Sequence, residues 1–470
     1  MSIKIYNSLT KTKQEFTPIV SGKVGMYVCG PTVYGPAHVG HARTYVNFDT
    51  VRRYLEFCGY NVKHVQNITD VGHLVGDGDD GEDKLAKQAK KENADPYAIA
   101  YKYENMFFNC MDQLNVLRPT ISPRATGFIP EMIDMVQDLV NKGYAYVTKQ
   151  GNVYFRVHMY HKYGQLSNRK LSDAKSGERI NVASDKENPE DFALWKSAVG
   201  GHIMKWNSPW GMGYPGWHLE CSVMSKKFLG ETFDIHGGGI DNIFPHHESE
   251  FAQSEVANGK PFVRYFMHNN LITVNGTKMG KSLGNFITLD DLFTRYNPMA
   301  VRYFILNYHY RSVVDFNENE ISQAQAQLNK IFEAYEKVCK NATNISTNNL
   351  TDADVAYKNF IAAMNEDFNT PLAISELLKV AKYANSAVAS GKIGELANIK
   401  KLFENMFFIL GLQPQTAVQP AETENSNTED LLNLVADIRT KLRAEKQYAL
   451  SDYIRDELAK LGINSKDKKA

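Results

Sequence analysis

Two cysteines, a histidine and a glutamate lie far apart along this sequence: Cys29, Cys221, His246 and Glu250. Cys29 closes the short apolar run Gly25–Cys29, which reads as a buried strand stopped by Gly30-Pro31. Pro245 suits the first turn of a helix running to Ala257, with Gly259 after it. On such a helix His246 and Glu250 are four apart and share a face. Two thiolates, one imidazole and one carboxylate make a borderline-soft donor set that suits Zn²⁺. Scattered cysteines also serve as small buried apolar residues, and paired histidines as polar surface, so spacing alone leaves both readings open.

A second group, His38, Gly40 and His41, follows the same strand and opens a helical pattern. A helix N-terminus offers unpaired backbone N–H groups and a positive dipole end, hence a phosphate site. Gly40 removes a side chain where a ligand could approach the backbone. Two imidazoles on one face can donate hydrogen bonds to a phosphoryl group in its transition state. Two surface histidines beside a glycine are the plain alternative, which the position at a first strand–helix turn disfavours. The third group is Lys278 and Lys281 in the loop Thr277–Asn285. Two point charges there could neutralise a departing pyrophosphate, although such a pair is usually solvated surface.

The elements that must hold these groups are legible in outline. Residues 25–29, a helical pattern from Ala37 to Cys58 ended at Gly59, and a second strand from Asn61 towards Asp70 form a strand–helix–strand unit. That pattern predicts an α/β fold: a Rossmann-like, doubly wound parallel sheet. Short strands such as Asn152–Val157, with Pro and Gly punctuation, mark an inserted module. Beyond Asp315 helix formers dominate and glycine nearly vanishes. A Pro-, Gln-, Thr- and Asn-rich linker then precedes two apolar stripes at helical spacing. These are Leu431, Leu434, Val435, Ile438 and Leu442, then Leu450, Ile454, Leu458 and Leu461 before Gly462. The expected division is 1–117 and 206–314 for the two halves of the catalytic domain, with 118–205 inserted between them. A helical bundle at 315–412, a linker at 413–428 and a small α-helical C-terminal region at 429–470 follow.

Composition sets the limits. No apolar run approaches the ~20 residues that span a bilayer, and Met-Ser-Ile-Lys-Ile-Tyr has no apolar leader pattern, so a cytoplasmic location without membrane contact is expected. Five scattered cysteines are no disulfide framework; they suit a reducing compartment. With 53 basic and 53 acidic residues, overall charge gives no support for nucleic-acid binding, and local clusters must carry it. Arg439, Lys441, Arg443 and Lys446, followed by Arg455 and Lys460, form one such cluster.

Taken together these residues resemble the class I aminoacyl-tRNA synthetases. His38-Val39-Gly40-His41 is similar to that class's HIGH signature, and Lys278–Ser282 to its KMSKS loop. More narrowly the sequence resembles the cysteine–tRNA ligases. It does so through Cys-Gly-Pro-Thr-Val-Tyr (29–34), Asn-Ile-Thr-Asp (67–70), Asp-Phe-Ala-Leu-Trp-Lys (191–196) and Gly-Trp-His-Leu-Glu-Cys (216–221). His-Gly-Gly-Gly-Ile-Asp (236–241), Phe-Pro-His-His-Glu-Ser-Glu (244–250) and Asn-Glu-Asp-Phe-Asn-Thr-Pro (365–371) complete the set in family order.

The resemblance implies activation of L-cysteine with ATP and Mg²⁺, then transfer to the 3′ end of tRNA(Cys) by a monomer. It implies one zinc on Cys29, Cys221, His246 and Glu250, and catalytic roles for His38, His41, Lys278 and Lys281. His38, Gly40, His41, His236, Gly238, Asp241 and Lys281 would bind ATP, and Gly30, Thr32, Thr69 and Trp217 the amino acid. Three departures stand out. Gly280 replaces the loop's usual serine. Val71-Gly72-His73-Leu74 and a Gly/Asp-rich stretch stand in place of the commoner acidic pair and lysine. The sequence stops soon after Gly462-Ile463 without a Thr-Thr-Trp tail, so contacts made by that tail are not expected. The rival readings are a cysteine ligase acting on an amino sugar, as in mycothiol synthesis, a non-catalytic tRNA-binding relative, and a hydrolytic zinc enzyme, the last disfavoured by the absence of H-E-x-x-H.

Overall fold

The computed structural model describes residues 2–74, 81–169, 185–198, 202–280, 284–343, 350–414, 435 and 437–460, with backbone only at 278, 459 and 460. They divide into two compact units, 1–413 and 414–470.

In the first unit, β1 (Lys4–Asn7) and β2 (Thr12–Glu15) form an antiparallel pair. The chain then enters β3 (Lys23–Val28), α1 (Val39–Phe57) and β4 (Asn61–Gln66). After α2 (Lys84–Glu92), α3 (Pro96–Gln113) and α4 (Ile129–Asn141) come the short strands β5 (Ala145–Val147), β6 (Val153–Phe155), β7 (Phe192–Ser197) and β8 (Gly213–Pro215). These four pair in order as an antiparallel sheet of their own. The chain continues through α5 (Leu219–Leu229), β9 (Phe233–Gly239), α6 (Glu248–Asn258) and β10 (Val263–Asn269).

The central sheet runs β10-β9-β3-β4, every pair parallel. Its inner strands are buried on both faces: Val24, Met26, Tyr27 and Val28 of β3 and Ile235 and His236 of β9 are at most 1% exposed. Only a strand covered on both sides reads as such a continuous apolar run. From β3 the chain winds outward to β4, and from β9 the opposite way to β10. The boundary between β3 and β9 is therefore the topological switch point, where the carboxyl ends of the strands leave a crevice.

β11 (Ile272–Val274) and β12 (Thr277–Lys278) form a small hairpin, and β11 also pairs in parallel with β13 (Val314–Phe316). Between them lie α7 (Leu289–Phe293) and α8 (Pro298–Leu306). Four helices follow: α9 (Glu318–Asn341), α10 (Asp352–Asn365), α11 (Thr370–Ala389) and α12 (Ile393–Leu410). Ile321, Ala324, Leu328, Ile331, Ala334 and Val338 form the buried stripe of α9, at the spacing of one helix face.

Asp49 of α1 joins these layers. Its carboxylate accepts from Arg53 Nε at 2.8 Å and from Arg302 of α8 at 2.5 Å, while Arg302 also donates to Leu410 O and Leu114 O. In the second unit, residues 437–444 and α13 (Tyr448–Lys460) are helical. The parts of the two expected stripes at Leu431, Leu434 and Leu461, and Gly462 after them, lie outside the described residues.

Two helix starts differ from expectation. α1 begins at Val39, with His38 as its N-cap. α6 begins at Glu248, because Phe244 before Pro245 is extended (φ −137°, ψ 133°) and one wide turn precedes the helix. A residue ahead of proline is kept out of the helical region by the ring. Gly259 ends α6 at φ 64°, as its position predicts.

Candidate active site and metal centre

A cavity of about 500 Å³ opens at the switch point. Cys29, one residue beyond β3, and Cys221, in the first turn of α5, reach its floor, with Sγ atoms 3.8 Å apart. His246 Nε2 lies 3.5 Å from Cys221 Sγ and 3.0 Å from Glu250 Oε1, and Glu250 Oε1 is 3.7 Å from Cys29 Sγ. One donor atom from each of the four fits within 4.8 Å of the others, and all four residues are buried. The wide turn before α6 does not spoil the i, i+4 relation of His246 and Glu250.

Burial raises the Cys29 thiol well above its ordinary value, and neighbouring Cys221 and Glu250 raise it further. Burial likewise pushes Cys221 up to about 11 and lifts Glu250. Three acidic groups held together out of water resist ionising side by side, which a divalent cation among them would reverse. This is a candidate metal-binding cluster.

His247, adjacent to His246, faces the opposite way. Its Nε2 is 3.2 Å from Cys29 Sγ and its Nδ1 2.7 Å from His268 Nε2. Cys29, His236, His247 and Glu250 form a second buried group with donors within the same spacing. His236 was expected at the adenosine site, yet it lies fully buried behind the metal ligands. Its Nε2 meets Glu250 Oε2 at 2.8 Å. The reason is its place in the middle of a covered strand, β9. Gly238 is also absent from the cavity lining, being paired with His268 in the sheet, whereas Asp241, just past the strand end, lines it.

The phosphate-type turn is built tightly. His38 Nδ1 accepts from Gly40 N at 3.1 Å, and His41 Nδ1 accepts from His38 N at 3.3 Å. The two rings stack with centroids 3.8 Å apart. An Nδ1 that accepts puts the proton of a neutral imidazole on Nε2, so each ring keeps an N–H donor at its far end. A Cβ on residue 40 would meet the His38 ring at 2.9 Å. Glycine is needed there for His38 to fold back, beyond any approach by a ligand.

Gly30, Thr32, Thr69 and Trp217 all line the cavity. Gly30 N donates to Asn67 Oδ1 at 2.8 Å and Asn67 Nδ2 donates to Thr69 Oγ1 at 3.0 Å. Thr69 Oγ1 donates to Glu220 Oε2 at 2.8 Å. Met279 and Gly280 bring the lysine loop to the rim, but Lys281 lies outside the described residues, as does the side chain of Lys278.

Comparison with known proteins fits this geometry. Residues 15–326 match the family of tRNA synthetases class I (C) catalytic domain, and residues 359–414 match the DALR domain. The chain is 49% identical to the cysteine–tRNA ligase of Chlorobium luteolum, over 99% of this chain and 98% of that protein. The chain belongs to the cysteine–tRNA ligase family. The Bacteroides fragilis cysteine–tRNA ligase is 47% identical, over 99% and 97% of the two chains. Among solved structures, Mycobacterium tuberculosis methionyl-tRNA synthetase in complex with methionyl-adenylate shares the fold at TM-score 0.58 and 13% identity, over 82% of this chain and 88% of that one. The LeuRS–tRNA–LeuAMS ternary complex of Agrobacterium radiobacter gives 0.60 and 11%, over 86% and 88%.

The sequence departs after Asp70 from the pattern common in cysteine–tRNA ligases, and residues 75–80 lie outside the described residues. Leu74 pairs with Asp83, which caps α2, and Lys84 then lines the cavity. Of the pair, Lys84 reaches the site, while Asp83 is buried as the cap of α2. Asn67, Glu220, His73 and His247 were not singled out from sequence. His247 carried a signal in its adjacency to His246, and His73 in standing where the family pattern breaks.

Proposed function

We propose that this chain activates L-cysteine with ATP to cysteinyl-adenylate and transfers the cysteinyl group to the 3′ end of tRNA(Cys). The observation that carries this is the convergence of Cys29, Cys221, His246 and Glu250 on one point beside the phosphate-type turn. Around a tetrahedral Zn²⁺, two sulfurs would stand ~3.8 Å apart and a sulfur and a nitrogen ~3.6 Å. The separations of 3.8 and 3.5 Å support zinc as the ion. Bound there, zinc supplies a preference for thiolate over hydroxyl, the one property that separates cysteine from serine steeply.

The protein's own groups do the rest. The cysteine carboxylate attacks the α-phosphate of ATP, and pyrophosphate leaves. His38 and His41, with Nε2 protons, donate to the phosphoryl oxygens as charge gathers on them. Lys278 and Lys281 neutralise the departing pyrophosphate, and Mg²⁺ accompanies ATP. Asp241 holds the adenosine side with Gly40 near the phosphates. His236 instead fixes the orientation of Glu250. Gly30, Thr32, Thr69 and Trp217 form the amino-acid pocket. The terminal ribose hydroxyl of the tRNA then takes the acyl group from the adenylate.

In this reading residues 1–117 and 206–314 do the chemistry, 118–205 are inserted, 315–412 and 429–470 serve the tRNA, and 413–428 link them. The chain works as a cytoplasmic monomer. Among the described residues no helix is long and apolar enough to cross a membrane. The test is cysteine-dependent exchange of labelled pyrophosphate into ATP, followed by addition of tRNA(Cys) and metal analysis. Exchange, consumption of adenylate by tRNA and one zinc per chain are expected. Adenylate that accumulates untouched by tRNA would favour an amino-sugar acceptor, and no exchange at all a non-catalytic relative.

A further inference from the structure

His73 has no part in the chemistry above, yet it stands where the residues of the amino-acid pocket meet. Its ring lies on Trp217 with centroids 4.0 Å apart and planes 12° apart. Trp217 lies in turn on His246 at 4.3 Å and 18°. His73 Nδ1 is 2.5 Å from Thr32 Oγ1, and Nε2 is 2.7 Å from Lys84 Nζ. An ammonium can only donate, so Nε2 accepts and the ring proton sits on Nδ1, aimed at Thr32. One imidazole therefore grips two pocket residues, by stacking and by hydrogen bonding.

The backbone beneath it is fixed to match. Gly72 has φ +75°, and a Cβ there would stand 2.5 Å from Pro215 O, so only glycine lets this segment dock against the strand end that leads into Trp217. Lys84 N donates to His73 O at 2.9 Å. Val71 and Leu74 on either side are buried. A side chain held this firmly is in place before any ligand arrives.

We propose that His73 is a specificity-determining positioning residue, which locks Trp217 and Thr32 into one wall and so sets the pocket's fit to a small thiol-bearing amino acid. Lys84 holds the imidazole in the tautomer that serves Thr32. Without His73 the indole is stacked on one side only and can tilt away from His246, widening the pocket. The proposal rests on the activity proposed above.

The experiment is steady-state pyrophosphate exchange by the full chain with three substitutions, each checked for melting temperature and metal content. His73→Ala is expected to raise KM for cysteine on the order of fivefold, the worth of one aromatic stack, with KM for ATP moved by less than about twofold. The same variant is expected to activate larger amino acids better relative to cysteine. His73→Phe keeps the stack but not the hydrogen bond to Thr32 and is expected to fall between the unmodified value and alanine for cysteine, whereas His73→Asn loses the stack and is expected to follow alanine. Should His73→Ala unfold, the Phe and Asn pair still decides. Equal cysteine KM values for that pair, or equal shifts for cysteine and ATP, would overturn the proposal while leaving the activity intact. Absence of exchange in the unmodified chain would overturn the activity first, and this proposal with it.

Discussion

At the scale of single residues, the metal cluster separates ligands from residues that merely crowd them. Cys221 sits between Cys29 and His246, so replacing its sulfur with oxygen swaps a soft donor for a hard one at the centre of the set. Cys221→Ser is expected to lower bound zinc and to raise KM for cysteine by at least ~10–100-fold, the range known for disturbed metal shells. KM for ATP should move far less, because His38 and His41 stand on a different element, α1. Equal changes in both constants would count against a metal that selects the substrate. The four residues of the candidate cluster were legible only through the family motifs that contain them, since spacing alone left them open to plainer readings, and the structure brings them within reach of one another. His236, placed among the ATP residues by its motif, lies in the middle of β9 with its ring buried against Glu250, a contact that no local signal announces. Sequence marked His73 only as standing where the family pattern breaks; its role could not be read, because its stacking partner, Trp217, is remote in sequence.

Elements are held by groups that take no part in the reaction, and two of these set how the protein responds to damage and to acid. Asp49 is one. Burial alone would raise its carboxyl, but Arg302 and Arg53 bring it below its ordinary value. Asp49→Ala leaves two buried guanidiniums without their counter-charge and should cost ~3–5 kcal/mol in denaturant unfolding. A loss below about 1 kcal/mol would mean that the carbonyls around Arg302 suffice.

His64 of β4 is the other. Burial, helped by Arg52, pushes it down to about 3, and among the described residues neither ring nitrogen has a hydrogen-bond partner. The folded chain keeps this imidazole neutral, while the unfolded chain takes up its proton below about pH 6.5. The stability it allows is thus complete above pH 6.5 and falls as pH drops towards 3, by up to ~1.4 kcal/mol per pH unit. Between pH 6 and 5 the unmodified protein should lose about 1 kcal/mol more than His64→Leu, measured by urea unfolding at each pH. Parallel losses would show that His64 is not the group responsible. The first strand–helix–strand unit was readable from periodicity and from Gly59, but the tie from Asp49 to Arg302 joins positions more than 250 residues apart, for which sequence has no local signal.

At the scale of the whole molecule, a chain with equal numbers of acidic and basic residues must present cations locally if it is to hold a tRNA. The cluster expected near the C-terminus divides into two kinds. Arg439 Nε donates to Ser451 O at 3.2 Å, Arg443 pairs with Asp452 at 3.3 Å, and Arg455 pairs with Asp452 and Asp456. Arg439 and Arg443 tie the second unit's two helices together, while Arg455 pairs within α13. Lys441 and Lys446 are exposed. Charge alone could not tell the two kinds apart, because what each arginine meets, a carbonyl or a carboxylate of α13, is set by the packing of the helices. Under the proposed reaction the lysines, and not the arginines, meet phosphate. Reversing both, Lys441→Glu with Lys446→Glu, is expected to raise KM for tRNA(Cys) by about tenfold at low salt and to reduce the log–log salt slope by about two. Cysteine-dependent pyrophosphate exchange should be unchanged, since that step needs no tRNA. Arg443→Ala should instead lower the melting temperature of the second unit. A charge-reversed variant that charges tRNA with the original salt dependence would move the RNA contact away from this unit, onto the helices of residues 315–412.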